Sequence, residues 1–390
     1  MDVTRRPRLR GQQRKSPLRR RIRFVRMDKP NEGADLRKAI QGQVLPTFTI
    51  IVLVVNILML IVFYKGRFSS PTHLTLIAIA VADMMNGLFA LIPSMHFFTF
   101  NNDKDFVPYD WCWANFILNN IARISHGCSL YYTVFLAAQR YIFVRFPFKA
   151  RTLCSKKSTI VVIICIPFIS IVIHLLSLIQ HSTFYGVTTK SRLYENTTIY
   201  ACARGRPRMS FRAVVWIENF FTRIFPIAAL VILNILLVIE LKLSTKHIQR
   251  TMTSVRQQMQ NRTLKNRRIT ILTVAVVVSV LITEIPGFIA QLVISYSDSA
   301  KCKGCAQKTL VVVFQLAITI CYPTNFLVYC LISSKFRKTL KNLLLNVAER
   351  MCPWCYKALS KDHPAGYSST ATSEDDTDKK GESTQEDVAL

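Results

Sequence analysis

The sequence predicts an all-α membrane protein, a bundle of seven transmembrane helices followed by a short amphipathic helix. Three observations carry that prediction. Of 390 residues, 51% are apolar and only 19% charged, and mean hydropathy is +0.26, a balance that soluble chains of this size rarely show. The apolar residues are gathered into seven long blocks, each near the roughly 20 residues that a helix needs to cross about 30 Å of hydrocarbon. The formal charge of +29 is concentrated in the tails and in the short stretches between blocks. Unbroken runs exclude a membrane β-barrel, which would alternate in strands of about ten residues. The blocks also exclude a disordered or nucleic-acid-binding chain, and no internal repeat is visible.

The spans read as Val44–Tyr64, Thr72–Thr99, Trp113–Ala138, Thr159–Gln180, Val214–Leu241, Ile269–Tyr296 and Thr309–Ser333. They divide the chain into a basic, disordered tail (1–43), a seven-helix bundle with its amphipathic helix (44–345) and a disordered tail (346–390). The second, third and seventh spans carry Asp83, Asn119, Asn120, Arg123, His126 and Asn325. Polar groups at membrane depth face a bundle interior, where they find partners in place of lipid.

Orientation follows the Lys and Arg of the short loops. Lys65 and Arg67, the run from Arg145 to Lys157, the run from Lys242 to Arg268, and Lys335 to Lys341 share one side. That richer side reads as cytosolic, which places the N-terminus outside and the chain at the plasma membrane as a multi-pass protein. Asn196-Thr197-Thr198 is a glycosylation acceptor on the outer side. One feature pulls the other way: fourteen Lys/Arg lie between residues 5 and 38. They read as a tolerated basic tail, an extension upstream of Met27, or a patch attracted to anionic surfaces.

Eleven cysteines divide by side. Cys112 at the mouth of the third span and Cys202 in the long outer loop are expected to pair, as thiols in an oxidising compartment do. Cys302 and Cys305 are spaced for a small local bridge. Cys352 and Cys355, beyond the last span, are palmitoylation candidates.

The span ends are more specific. Gln139-Arg140-Tyr141-Ile142 closes the third span, Ala80-Val81-Ala82-Asp83 lies in the second, and Asn56, Pro226 and Pro286 stand in the first, fifth and sixth. The seventh reads Asn325-Phe326-Leu327-Val328-Tyr329, with Phe336-Arg337 seven residues on. Together these resemble the rhodopsin-like, class A G-protein-coupled receptors. Gln139 in place of an acid, Glu284-Ile285-Pro286 where most members have Trp-x-Pro, and His126 resemble invertebrate neuropeptide receptors of the sex-peptide/myoinhibitory-peptide and FMRFamide-like/myosuppressin group.

The resemblance implies a receptor, not an enzyme, for a secreted and amidated neuropeptide, with a heterotrimeric G protein as its cytosolic partner. Arg140, Tyr141 and Tyr329 would carry G-protein coupling. Gln139 and Asn266 replace two acids that hold the arginine in many relatives, so raised constitutive signalling is expected. Asp83, Ser129 and Asn325 would hold an allosteric sodium ion, or else Asp83 is protonated and bonded to the same neighbours; no other cofactor is implied. Glu284 has Arg123, His126 and Arg223 as candidate partners, and reads equally as a ligand contact or an internal ion pair. Trp111 and its aromatic neighbours would dock ligand rings, or merely anchor the helix ends. Ser368 to Thr384, interleaved with acids, imply a receptor kinase and arrestin as partners. The rival readings are a seven-helix receptor for a non-peptide ligand and a channel or transporter. The latter would line whole helices with polar groups.

Overall fold

The computed structural model describes residues 23–24, 34–100, 107–181, 184–190, 198–204, 211–249, 278, 280–289 and 304–351. Its helices form the bundle that the apolar blocks predict. The order is β1 (Arg23–Phe24), α1 (Ala34–Ala39), α2 (Leu45–Lys65), α3 (Pro71–Ser94), α4 (Cys112–Arg145), α5 (Pro147–Leu153) and α6 (Lys156–His181). The strands β2 (Phe184–Lys190) and β3 (Thr198–Arg204) follow, then α7 (Phe211–Asn219), α8 (Phe225–Gln249) and α9 (Val280–Ile289). The chain continues through α10 (Gly304–Cys321), α11 (Thr324–Ile332) and α12 (Ser334–Met351).

Two boundaries differ from expectation. Helix begins at Ala34 and runs through a π turn (Ile40–Val44) into α2, so the end of the basic tail belongs to the bundle. Arg37 in α1 is buried there and donates to Thr309 Oγ1 of α10 at 3.0 Å. The seventh span is broken at Tyr322–Pro323, where α10 ends and α11 begins.

Two of the π turns share a cause. Ile40–Val44 holds Gly42, four residues before Pro46, and Phe220–Ile224 holds Thr222, four before Pro226, whereas Met95–Thr99 lies just after Pro93. Proline has no N–H for the residue four positions back, and a turn widened to i→i+5 bonding absorbs the gap. Two of these turns pack on each other: Thr99 Oγ1 donates to Gly42 O at 2.5 Å, and Ser94 Oγ donates to Gln41 O. At the other end of α3, Ser70 caps the helix by accepting from the His73 N–H, with Pro71 just inside.

Long α4 lies at the centre, packed on α3, α6 and α8. One core gathers Met59, Val62, Phe63, Ile79, Tyr132 and Phe336. Ile50, Val54, Ile57 and Ile61 of α2, and Val161, Ile164, Phe168 and Val172 of α6, point outward. That apolar exterior with Asn56 and Asp83 buried inside is the pattern of a bundle whose solvent is lipid. At one end the antiparallel hairpin β2–β3 covers the mouth, with Arg23 and Phe24 paired to Arg204 and Ala203 as a third strand. The strand lies within the tail expected to be disordered. The Cys112–Cys202 disulfide ties β3 to the start of α4.

Gly42 is where the two π turns come closest. A Cβ there would stand 2.9 Å from Phe98 O and 3.2 Å from Phe98 Cβ, and neither has room to retreat. Gly42→Val is expected to destabilise the bundle by about 1–3 kcal/mol, read as a fall in the melting temperature of the purified protein. Val54→Ala, on the exterior, should shift it far less.

Candidate functional site

Midway along the bundle a chain of polar side chains crosses five helices. Arg223, in the π turn before α8, places Nη1 2.6 Å from Glu284 Oε2. His126 of α4 places Nε2 3.2 Å from Glu284 Oε1, and its Nδ1 is 3.0 Å from the Tyr322 hydroxyl. That hydroxyl also receives Asn86 Nδ2 of α3 at 2.6 Å. Glu284 is 2% exposed. An isolated carboxylate at such depth is prohibitively costly, and two partners from two other helices neutralise it. Of the candidate partners read from the sequence, His126 and Arg223 converge on Glu284 and Arg123 does not.

Arg123 belongs to a second cluster. Its Nη1 lies 3.5 Å from Glu218 Oε1, and its Nη2 donates to Asn120 Oδ1. His174 of α6 places Nε2 3.7 Å from the same Glu218 oxygen, while its Nδ1 meets Ser170 O at 2.8 Å. The π turn between Glu218 and Arg223 sends the two in different directions, one toward α4 and α6, the other toward α9.

Trp111 sits at the mouth, partly exposed. It stacks on His96 at 3.7 Å and packs edge-on to Phe97 beside the disulfide. Trp113, half exposed, meets Phe184 at 5.0 Å across the mouth.

Below Glu284 a cavity of about 60 Å³ runs to Asp83, with Ser129, Thr283 and Tyr322 in its wall. Ser129 Oγ donates to Asp83 Oδ1 at 2.5 Å. This volume admits a few waters. Asn325 lies in α11, and its side chain falls outside the described residues. Carboxylate and hydroxyl oxygens around a small void are a donor set that fits a hard cation such as sodium.

At the end opposite the disulfide, the Arg140 guanidinium lies beside the Tyr329 hydroxyl. Tyr329 also contacts the rings of Phe63 at 5.3 Å and Phe336 at 5.7 Å, so it joins Arg140 to the core. Gln139 does not hold Arg140, contrary to expectation. It is fully buried, its Oε1 accepts from Thr75 Oγ1 at 3.1 Å, and its Nε2 donates to Thr159 Oγ1 at 3.2 Å. A primary amide both accepts and donates, so one neutral side chain ties α3 and α6 to α4. Tyr141 packs edge-on to Phe146 at 6.4 Å, and Arg145 pairs with Glu240 of α8 at 3.4 Å. On α5, Phe148 is 91% exposed beside Lys149 and Arg151, a feature that no motif announced. Asn196, Asn266, Cys302, Cys352, Cys355 and the Ser/Thr-rich tail lie outside the described residues, as does the side chain of Cys305.

Comparison with known proteins agrees with this architecture. Residues 43–346 match the family described as serpentine type 7TM GPCR chemoreceptor Srw. Sex peptide receptor-related protein 2 of Caenorhabditis elegans is 24% identical over 349 residues, covering 84% of this chain and 77% of the relative. The sex peptide receptor of Drosophila melanogaster is 27% identical over 325 residues, covering 78% and 72%. A probable G-protein coupled receptor of Caenorhabditis elegans is 26% identical over 323 residues, covering 81% and 72%. The chain belongs to the serpentine seven-helix receptor family, a multi-pass membrane receptor family.

Glu284→Leu leaves the partly buried Arg223 without its counter-ion, a change that costs up to about 3–5 kcal/mol where both charges are enclosed. Loss of surface expression is therefore expected, with Glu284→Gln milder. Pairing Glu284→Leu with Arg223→Met should recover much of the expression. A double variant as poor as Glu284→Leu alone would show that the ion pair is not what the fold needs.

Proposed function

We propose that this member of the serpentine receptor family binds a secreted, amidated neuropeptide at the disulfide end and activates a heterotrimeric G protein at the Arg140 end. The disulfide end then faces the exterior and the Arg140 end the cytosol of a plasma-membrane receptor, as the loop charges suggest. The observation that carries the reading is Arg140 itself. It lies at the end opposite the disulfide, beside Tyr329 and, among the described residues, in no ion pair with a carboxylate. A guanidinium keeps its charge and offers five donors, so it can exchange a phenol for backbone carbonyls of an inserted partner helix. Exposed Phe148, set among cations on α5, gives the same surface an apolar knob for a partner to cover.

On the ligand side, support for a peptide comes from the relatives named as sex peptide receptors. The geometry favours the internal ion pair for Glu284, because Arg223 and His126 already occupy both carboxylate oxygens. The ligand is then met nearer the mouth. The Arg123 side chain is 46% exposed, and Glu218 and Asn120 leave guanidinium donors over for a carbonyl or terminal amide. Nearer the mouth on the same helix, half-exposed Trp113 offers a ring.

Asp83 and Ser129, with Asn325 from α11, are the residues that would hold sodium, and the cation would supply counter-charge to the buried carboxylate. The Ser/Thr-rich tail would serve a receptor kinase and arrestin, since phosphates there would add to its acidic strip.

A panel of amidated neuropeptides applied to cells displaying the chain, read by G-protein activation, tests the reading. Saturable activation by one peptide class is expected, and Arg140→Ala should abolish signalling while leaving peptide binding intact. Silence across the panel with surface expression proven would overturn the ligand class. Ligand-free turnover offers a separate measure. Gln139→Glu gives Arg140 an adjacent anion and removes the donor to Thr159, so basal G-protein turnover should fall several-fold.

A further inference from the structure

The Tyr322 hydroxyl stands where the two acid sites meet, and its neighbours fix the direction of its hydrogen bonds. Glu284 has its cation in Arg223, and a carboxylate only accepts. The facing nitrogen of His126, Nε2 at 3.2 Å, therefore carries the hydrogen. In the neutral ring Nδ1 is then an acceptor, so the Tyr322 O–H, 3.0 Å away, donates to it. The phenol oxygen in turn accepts from Asn86 Nδ2 at 2.6 Å. Every donor points the same way, from Asn86 through Tyr322 and His126 to Glu284, and bonds aligned in this manner polarise one another.

The same phenol lines the cavity that has Glu284 at one end and Asp83 with Ser129 at the other. Its backbone lies at the break between α10 and α11, held by a long Tyr322 N–H to Thr319 O contact of 3.3 Å. The ring can therefore shift without breaking a regular helical bond.

We propose that Tyr322 is the positioning residue that couples Glu284 to Asp83. It selects the His126 tautomer that clasps Glu284, and it forms the wall shared with the Asp83 cavity, so rearrangement at either acid is felt at the other. The idea deepens the receptor reading, because it supplies the link between the ligand half of the bundle and the half that meets the G protein.

Thermal unfolding of the purified full chain in lipid nanodiscs tests the coupling without a ligand. Asp83→Asn and Glu284→Gln are combined in two backgrounds, the natural chain and Tyr322→Phe. In the natural chain the combined shift in melting temperature should differ by several degrees from the sum of the single shifts. In Tyr322→Phe the shifts should add. Additivity in the natural chain, or undiminished coupling in Tyr322→Phe, would overturn the proposal. Nitrogen NMR of isotopically labelled histidine gives a second readout. His126 should show one neutral tautomer protonated at Nε2, and Tyr322→Phe should admit the Nδ1-protonated form; identical spectra would count against the assignment. Should Tyr322→Phe fail to fold, Asn86→Leu removes the first donor and keeps the phenol. It should weaken the coupling, and full coupling there would be equally damaging. Failure of the chain to activate any G protein would sink the receptor reading and leave both of these measurements standing.

Discussion

A carboxylate enclosed by helices in a lipid-embedded bundle must find its counter-charge within the protein, and at Glu284 that constraint organises the middle of the molecule. Arg223 and His126 come from two other helices to meet it. Tyr322 and Asn86 extend the contact to two more. The bundle is thus joined by directional contacts where lipid provides no hydrophobic drive between helices. Each bond is modest, yet none can be given up cheaply, because a buried polar group left unpaired loses its full solvation. The apolar exterior of α2 and α6 gives the bundle its place in the membrane. The polar chain gives it one particular arrangement.

Prolines make that arrangement reachable. At Pro226 the lost backbone bond widens the preceding turn, and the widened turn carries Arg223 toward α9 while Glu218 faces α4 and α6. At Pro323 the break between α10 and α11 brings the Tyr322 phenol to Asn86 and His126, while α11 presents Tyr329 to Arg140. Local backbone irregularity, not regular helix, therefore aims the groups that matter. The disulfide adds a fixed lid by holding the hairpin to the first residue of α4.

Much of this was legible in the sequence, for a physical reason. Span length and loop charge answer to the thickness and polarity of a bilayer, so they are written into composition, and a proline or an arginine at a helix end marks its place whatever surrounds it. Partner choice is different. Arg123, His126 and Arg223 were equivalent on paper as cations for Glu284, and only a π turn, which propensity does not encode, separated Arg223 from Glu218. Gln139 read as a weakened acid because its neighbour was Arg140. Its true partners, Thr75 and Thr159, lie on helices that sequence cannot rotate into view. Tyr322 drew no notice, since a tyrosine beside a proline in an apolar run looks like packing.

The replacement of the usual Trp-x-Pro by Glu284-Ile285-Pro286 then has a mechanical consequence. An aromatic ring packs against whatever moves past it, and contact is lost gradually. An ion pair in a medium of low dielectric changes steeply with separation and tolerates few intermediate geometries. The Arg223 contact to Glu284 is the shorter, 2.6 Å against 3.2 Å for His126, and it joins neighbouring spans, α8 with its π turn and α9. Motion of the sixth span away from α4 is therefore easiest if Arg223 travels with Glu284 and the His126 contact opens. The fifth and sixth spans would move together against the fourth helix, carrying the strain to Tyr322, which meets His126 from the other side.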